Sequence, residues 1–245
     1  MAKIAVVTGA NRGLGLATSA ALARAGCTVI MTGRNAADTD AAARNLRAQG
    51  LPVESQVLDV TAYDSAQRAA EAISTRHGQL DILINNAGIL PEATANGASN
   101  FVQPAAAEDT LRTNILGPML VTEAMLPLLR RSAAGRIVNV STTMGSLADQ
   151  ADPDSPYYAM IVPAYQASKA ALNSVTISLA KALAETPIKV TSVCPGFVQT
   201  DLTPVNRQQA PLTPDDAAAT VVRAATLDDA APSGTFVDAN GSVRW

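Results

Sequence analysis

Apolar residues gather into short continuous runs separated by longer stretches of helical period. Seven runs read as buried strands: Ile4–Thr8, Thr28–Thr32, Val53–Leu58, Ile82–Asn85, Arg136–Val140, Lys189–Cys194 and Thr235–Val237. Between them, Gly13–Ala25, Ala36–Gln49, Ala66–Arg76, Ala107–Arg130, Ala164–Ala184 and Pro214–Thr226 read as helices. Strands alternating with helices predict an α/β fold, a parallel sheet covered on both faces through right-handed crossovers. Leu90–Gln103 and the proline-bearing Gly145–Pro163 are expected to be irregular. No linker or charge block divides the chain, so residues 1–245 are expected to form a single domain. In such sheets ligands bind beyond the carboxyl ends of the strands, so that is where chemistry is sought.

Thr8-Gly9-Ala10-Asn11-Arg12-Gly13-Leu14-Gly15 follows the first strand and opens the first helix. Strand, glycine turn and helix are the context that a dinucleotide fingerprint needs. The glycines let the backbone approach a pyrophosphate, and the helix N-terminus supplies free N–H groups and partial positive charge. The spacing Gly-x-x-x-Gly-x-Gly departs from the commoner Gly-x-Gly-x-x-Gly. Far downstream, Tyr165 and Lys169 stand four positions apart, on one face of a predicted helix. An ammonium near a phenol favours the phenolate, which suits a tyrosine to proton transfer near neutral pH.

With both ends in view, the chain resembles the short-chain dehydrogenase/reductase family in its single-domain branch. The supporting blocks come in the family's order: the Thr8–Gly15 loop, Leu58-Asp59-Val60, Asn85-Asn86-Ala87-Gly88, Thr113-Asn114, Arg136 to Thr142, Tyr165 to Lys169 and Cys194-Pro195-Gly196-Phe197. Gly234-Thr235-Phe236-Val237 and Trp245 look like the carbonyl-reductase-like members. The resemblance implies a Rossmann-type doubly wound sheet and a nicotinamide cofactor. It places Gly9, Asn11, Arg12, Gly13, Leu14 and Gly15 around the pyrophosphate and Asp59 and Val60 at the adenine. Asn86, Ala87 and Gly88 fall near the adenosine ribose, and Tyr165 and Lys169 are also expected to touch the cofactor. Pro195, Gly196, Val198 and Thr200 fall around the nicotinamide, and Asn85 is expected to support the central strand. NAD-preferring relatives often carry an acidic residue at the end of the second strand, where this chain has Gly33 and Arg34. Arg12 and Arg34 could clamp a 2′-phosphate, so NADP(H) is expected.

The resemblance further implies that Tyr165 is the proton donor to a carbonyl and that Lys169 lowers its pKa. Asn114 would position a water that relays protons to Lys169, or could be a helix-interior amide bonded to nearby backbone. Family members commonly read Asn-Val-Ser-Ser where this chain reads Asn139-Val140-Ser141-Thr142. The catalytic hydroxyl therefore falls to Thr142, with Ser141 as the alternative.

Composition trims the remaining options. A net charge of −3 argues against a general nucleic-acid or anionic-membrane binder. Cys27 and Cys194 lie far apart without metal spacing and read as reduced thiols of a cytoplasmic chain. His77, the sole histidine, reads as structural, ending a helix before Gly78 with no evident partner. No metal is expected, and no stretch nears the roughly 20 apolar residues of a membrane span. The interval from Thr142 to Tyr165 is longer than usual for the family, and residues 145–163 are expected to form a lid. There Tyr157 and Tyr158 either pack on a substrate ring or fill a loop core. A second wall is expected at residues 201–213, whose few charges, Asp201 and Arg207, suit a neutral, apolar aldehyde or ketone. The leading reading is a reversible NADPH-dependent carbonyl reductase. The alternatives are a pathway-specific ketoreductase or dehydrogenase and a non-catalytic NADP(H) sensor. Homo-oligomers through Ala107–Arg130 and Ala164–Ala184 are usual in the family; the inserted segment leaves the state open.

Overall fold

The computed structural model describes residues 2–94 and 101–245. Part of the Leu90–Gln103 stretch lies outside the described residues. The strands are β1 (Ile4–Val7), β2 (Thr28–Gly33), β3 (Val53–Val57), β4 (Ile82–Asn85), β5 (Arg136–Val140), β6 (Lys189–Val193), β7 (Thr235–Asp238) and β8 (Gly241–Ser242). They form one sheet in the order β3-β2-β1-β4-β5-β6-β7-β8, parallel except for the β7–β8 pair. The strand order reverses between β1 and β4, and the crevice at that switch point is where an open sheet offers a binding site.

Alternation along the strands fills both faces. Ala5 and Val7, with Val29, Met31, Ile82 and Ile84, face α1 (Gly13–Arg24), α2 (Ala36–Arg47) and α9 (Pro214–Ala225). Val6, Ile30, Leu83, Ile137 and Val190 face α3 (Tyr63–His77) and α5 (Gly117–Leu129). The small residues of α1, such as Ala20 and Ala23, let it pack closely. The single-domain, doubly wound fold expected from the sequence is present.

Three differences have physical causes. The long helix expected over Ala107–Arg130 is interrupted: α4 (Pro104–Leu111) ends in a π-helical turn, Arg112–Leu116, before α5 begins. Pro118 has no N–H to offer the Asn114 carbonyl four residues back, and the Gly117 N–H instead donates to Arg112, five back. Short helices, α6 (Leu147–Ala151) and α8 (Pro204–Gln209), occur where loops were expected, each capped by a hydroxyl: Ser146 accepts from the Asp149 N–H and Thr203 from the Asn206 N–H. β8 follows a tight turn in which Asp238 Oδ1 accepts from the Asn240 and Gly241 N–H groups. His77 does have a partner, Glu54, 3.2 Å from its Nε2, and it does end its helix before Gly78. The 20-residue helix α7 (Pro163–Ala182) carries Tyr165 and Lys169.

Candidate active site

The glycine loop is locked from below by the segment after β4. Thr8 Oγ1 accepts from the Asn86 and Ala87 N–H groups at 2.9 and 3.0 Å. Asn86 Nδ2 donates to the Thr8 and Gly9 carbonyls. Gly15 permits this closeness, since a Cβ there would lie 2.3 Å from the Gly9 carbonyl oxygen and 2.5 Å from Asn86 Nδ2. Gly13 has φ +54°, which a side chain would strain. No side chain caps α1, so its first N–H groups are left for an anion. Leu14 packs on the core beneath, and Thr200 lies against Gly13, whose Cβ would stand 3.3 Å from Thr200 Cγ2.

Beside the loop, β2 ends at Gly33 next to Asn11, whose Oδ1 would lie 3.8 Å from a Gly33 Cβ. Arg34 is exposed and has no ion pair or hydrogen bond among the described residues. Arg12 is 3.5 Å from Asp201, an exposed pair too weak to fix it. Asp201 is also paired with Arg207. Asp59 Oδ1 accepts from the Thr61 N–H and hydroxyl, 2.9 and 2.8 Å away. Val60 packs against Gly117, whose Cβ would lie 3.1 Å from Val60 Cγ2. Asn85 bridges Thr122 and Asn139, tying β4 to β5 and α5. Pro195 and Gly196 lead from β6 to buried Val198, which pairs with Leu212 and anchors the loop beyond.

Tyr165 and Lys169 are both buried, 7% and 5% exposed, and Lys169 Nζ stands 5.7 Å from the Tyr165 ring centre. The ammonium donates to the Val140 carbonyl at 2.8 Å. Burial pushes it down to about 8. The same burial pushes the Tyr165 phenol up, opposite to the lowering expected from Lys169. Loss of solvent around the ring is the main cause, and Cys194 adds to it in the same direction. Asn114, on the π turn, is fully buried. Its Oδ1 accepts from the Ile89 N–H, and its Nδ2 donates to the Ile89 carbonyl and to Ser168 Oγ. A Cβ built on Gly88 would lie 3.4 Å from Asn114 Oδ1 and 3.6 Å from Lys169 Nζ, so these three meet at one point.

The two candidate hydroxyls face different ways. Buried Ser141 donates to the Lys169 carbonyl on α7 at 3.4 Å. Half-buried Thr142 accepts from the Met144 N–H, which leaves its own hydrogen free.

The profile of the family described as short chain dehydrogenase matches residues 3–211. The chain belongs to the short-chain dehydrogenase/reductase family. It is 32% identical to (+)-neomenthol dehydrogenase of Arabidopsis thaliana, over 96% of this chain and 95% of that protein. It is similar in structure to the NADPH-bound carbonyl reductase from chicken fatty liver, with TM-score 0.85 and 27% identity over 100% of this chain and 99% of that one. Salutaridine reductase from Papaver somniferum has TM-score 0.81 and 29% identity over 96% and 99%. This is therefore an oxidoreductase family with the doubly wound fold described above.

Within this short-chain dehydrogenase/reductase, sequence reasoning missed three residues. Thr8 and Ser168 were visible inside quoted motifs, but their hydrogen bonds span the chain. Glu92 accepts from the Ala164 and Tyr165 N–H groups, and nothing near it in sequence signals that. Among the described residues there is no cluster suited to a metal ion and no helix long and apolar enough to cross a membrane.

Proposed function

We propose that this single catalytic domain is an NADPH-dependent reductase of aldehydes or ketones, working reversibly. The observation that carries the reading is the buried Tyr165–Lys169 pair beside Gly88, within the crevice that the glycine loop borders. NADP(H) suits the site because Arg34 is an unpartnered cation at the end of β2, where no carboxylate stands. The relatives crystallised with NADPH or NADP support the same choice. The uncapped start of α1 would hold the pyrophosphate, and Arg34 with weakly tied Arg12 would hold the 2′-phosphate. Asp59, Val60, Asn86, Ala87 and Gly88 would line the adenosine side, and Pro195, Gly196, Val198 and Thr200 the nicotinamide side.

When bound, NADPH supplies a hydride to the substrate's carbonyl carbon. Tyr165 gives its phenolic proton to the carbonyl oxygen, and burial keeps that proton in place until the oxygen turns basic. Lys169 then stabilises the phenolate left behind, acting on that charge rather than on the resting phenol. Thr142 accepts from the Met144 N–H and keeps its own hydrogen, which it would donate to the developing oxyanion. Lys169 would then return a proton to the phenolate and be reprotonated in turn by a water held at Asn114, near the carbonyl that Pro118 leaves without its helical donor.

Substrate access lies between residues 145–163 and 201–213. Both carry exposed apolar side chains: Leu147, Tyr158, Met160 and Ile161 on the first, Val205 on the second, with Phe197 beside it. Asp201 and Arg207 neutralise each other, which favours a neutral, apolar carbonyl compound. Tyr158 is exposed for a substrate ring, whereas Tyr157 is half-buried within the segment. The two cysteines are buried and unpaired, which suits the reducing cytoplasm in which we place the protein. NADPH oxidation across a panel of aromatic aldehydes, α-diketones and cyclic ketones tests the reading. Turnover of neutral carbonyls is the expected result; turnover confined to acyl thioesters would shift it to a pathway ketoreductase.

A further inference from the structure

Helix α7 begins without a cap of its own. Val162 stands at the N-cap and has no polar side-chain atom, and Pro163 has no N–H. The next two N–H groups belong to Ala164 and Tyr165, both buried. Buried and unbonded, they would cost stability. Glu92 satisfies both from more than seventy positions upstream: its Oε1 accepts from Ala164 at 3.1 Å and its Oε2 from Tyr165 at 2.7 Å. A carboxylate also complements the positive end of the helix.

The place from which this carboxylate comes gives it a second consequence. Glu92 lies in the 3₁₀ turn Pro91–Ala93, just beyond Gly88, on the segment leading away from β4. That segment is also pinned to α7 through Ile89, Asn114 and Ser168. The chain between Gly88 and Glu92 is thus tied to the helix at the Tyr165 turn and again at the Ser168 turn. A local N-cap would satisfy the same N–H groups without fixing the helix against this segment.

We propose that Glu92 is the positioning residue of the proton donor: its carboxylate fixes the Tyr165 turn of α7 against the segment that follows Gly88. This rests on the reading of Tyr165 as proton donor. The chemistry is sensitive to such placement, because displacement by about 1 Å can cost on the order of a hundredfold in rate.

The test compares Glu92→Ala, Glu92→Gln, Glu92→Ala with Val162→Ser, and Tyr165→Phe, each read for kcat, NADPH Kd by fluorescence, and Tm. Glu92→Ala should lower kcat by about tenfold or more while NADPH Kd stays within about twofold. Glu92→Gln keeps one carbonyl acceptor and should fall between Glu92→Ala and the parent, which also covers the case where the alanine variant folds poorly. Adding Val162→Ser supplies a local cap, and should recover Tm but not kcat. Recovery of kcat together with Tm would reduce Glu92 to a helix cap and overturn the proposal, as would an unchanged kcat in Glu92→Ala. Undiminished turnover by Tyr165→Phe would instead overturn the proton-donor reading, and the proposal with it.

Discussion

At Lys169 burial brings the ammonium down to about 8, close to working pH, and a pH dependence follows. Reduction needs the charged form, which is lost as pH rises through that value. The rate should hold level on the acid side and fall above about pH 8; a profile flat to about pH 10 would contradict the role given to Lys169. Arg34, unpartnered at the end of β2, should set cofactor choice. Arg34→Ala should raise KM for NADPH by about tenfold and leave KM for NADH little changed, which paired kinetics would check. At the hydroxyl pair, Ser141 is occupied with the Lys169 carbonyl and Thr142 keeps its hydrogen. Thr142→Ala should therefore lose about a hundredfold in kcat, and Ser141→Ala much less. The reverse order would transfer the role to Ser141.

Among the elements, the segment carrying α6 is held by residues at the far end of the sequence. Arg244 contacts Asp149 at 3.0 Å and Asp152 at 3.2 Å, and the Trp245 carbonyl accepts from the Ala148 N–H. The Trp245 ring stacks on Phe236, with centroids 5.6 Å apart. These ion pairs are exposed, so Arg244→Ala should leave stability nearly unchanged. Its effect should appear in KM for bulky carbonyls, raised several-fold, and the parent's KM should climb with salt while the variant's does not. An unchanged KM would detach this segment from the substrate site. The π turn at Asn114 shows how far local pattern reaches. Ala107–Arg130 was expected to run unbroken despite Pro118, and no local pattern announced the five-residue hydrogen-bond step that answers the proline. Loops were expected at α6 and α8 because each helix is only a turn or two long, too short to show a period, although Ser146, and Thr203 before Pro204, are residue types that suit a helix start.

Across the whole molecule, the seven strands and the order of the motifs could be read from sequence because parallel strands buried on both faces are written as unbroken apolar runs, such as Ile4–Val7. The glycine loop and the Tyr165–Lys169 spacing could be read because backbone closeness and helical period are local. What could not be read is what the fold brings together from afar. Glu92 reaches Tyr165, Asn114 reaches Ile89, and Arg244 reaches Asp149 only after the sheet has ordered the chain. The direction of the Tyr165 shift also depended on burial, which no short motif states. The most direct test of the central claim is to measure NADPH affinity and carbonyl turnover together in the parent and in Tyr165→Phe. NADPH binding preserved within a few-fold, with turnover down by about a hundredfold or more, is the predicted result. Turnover that survives the loss of the phenolic hydroxyl would contradict it.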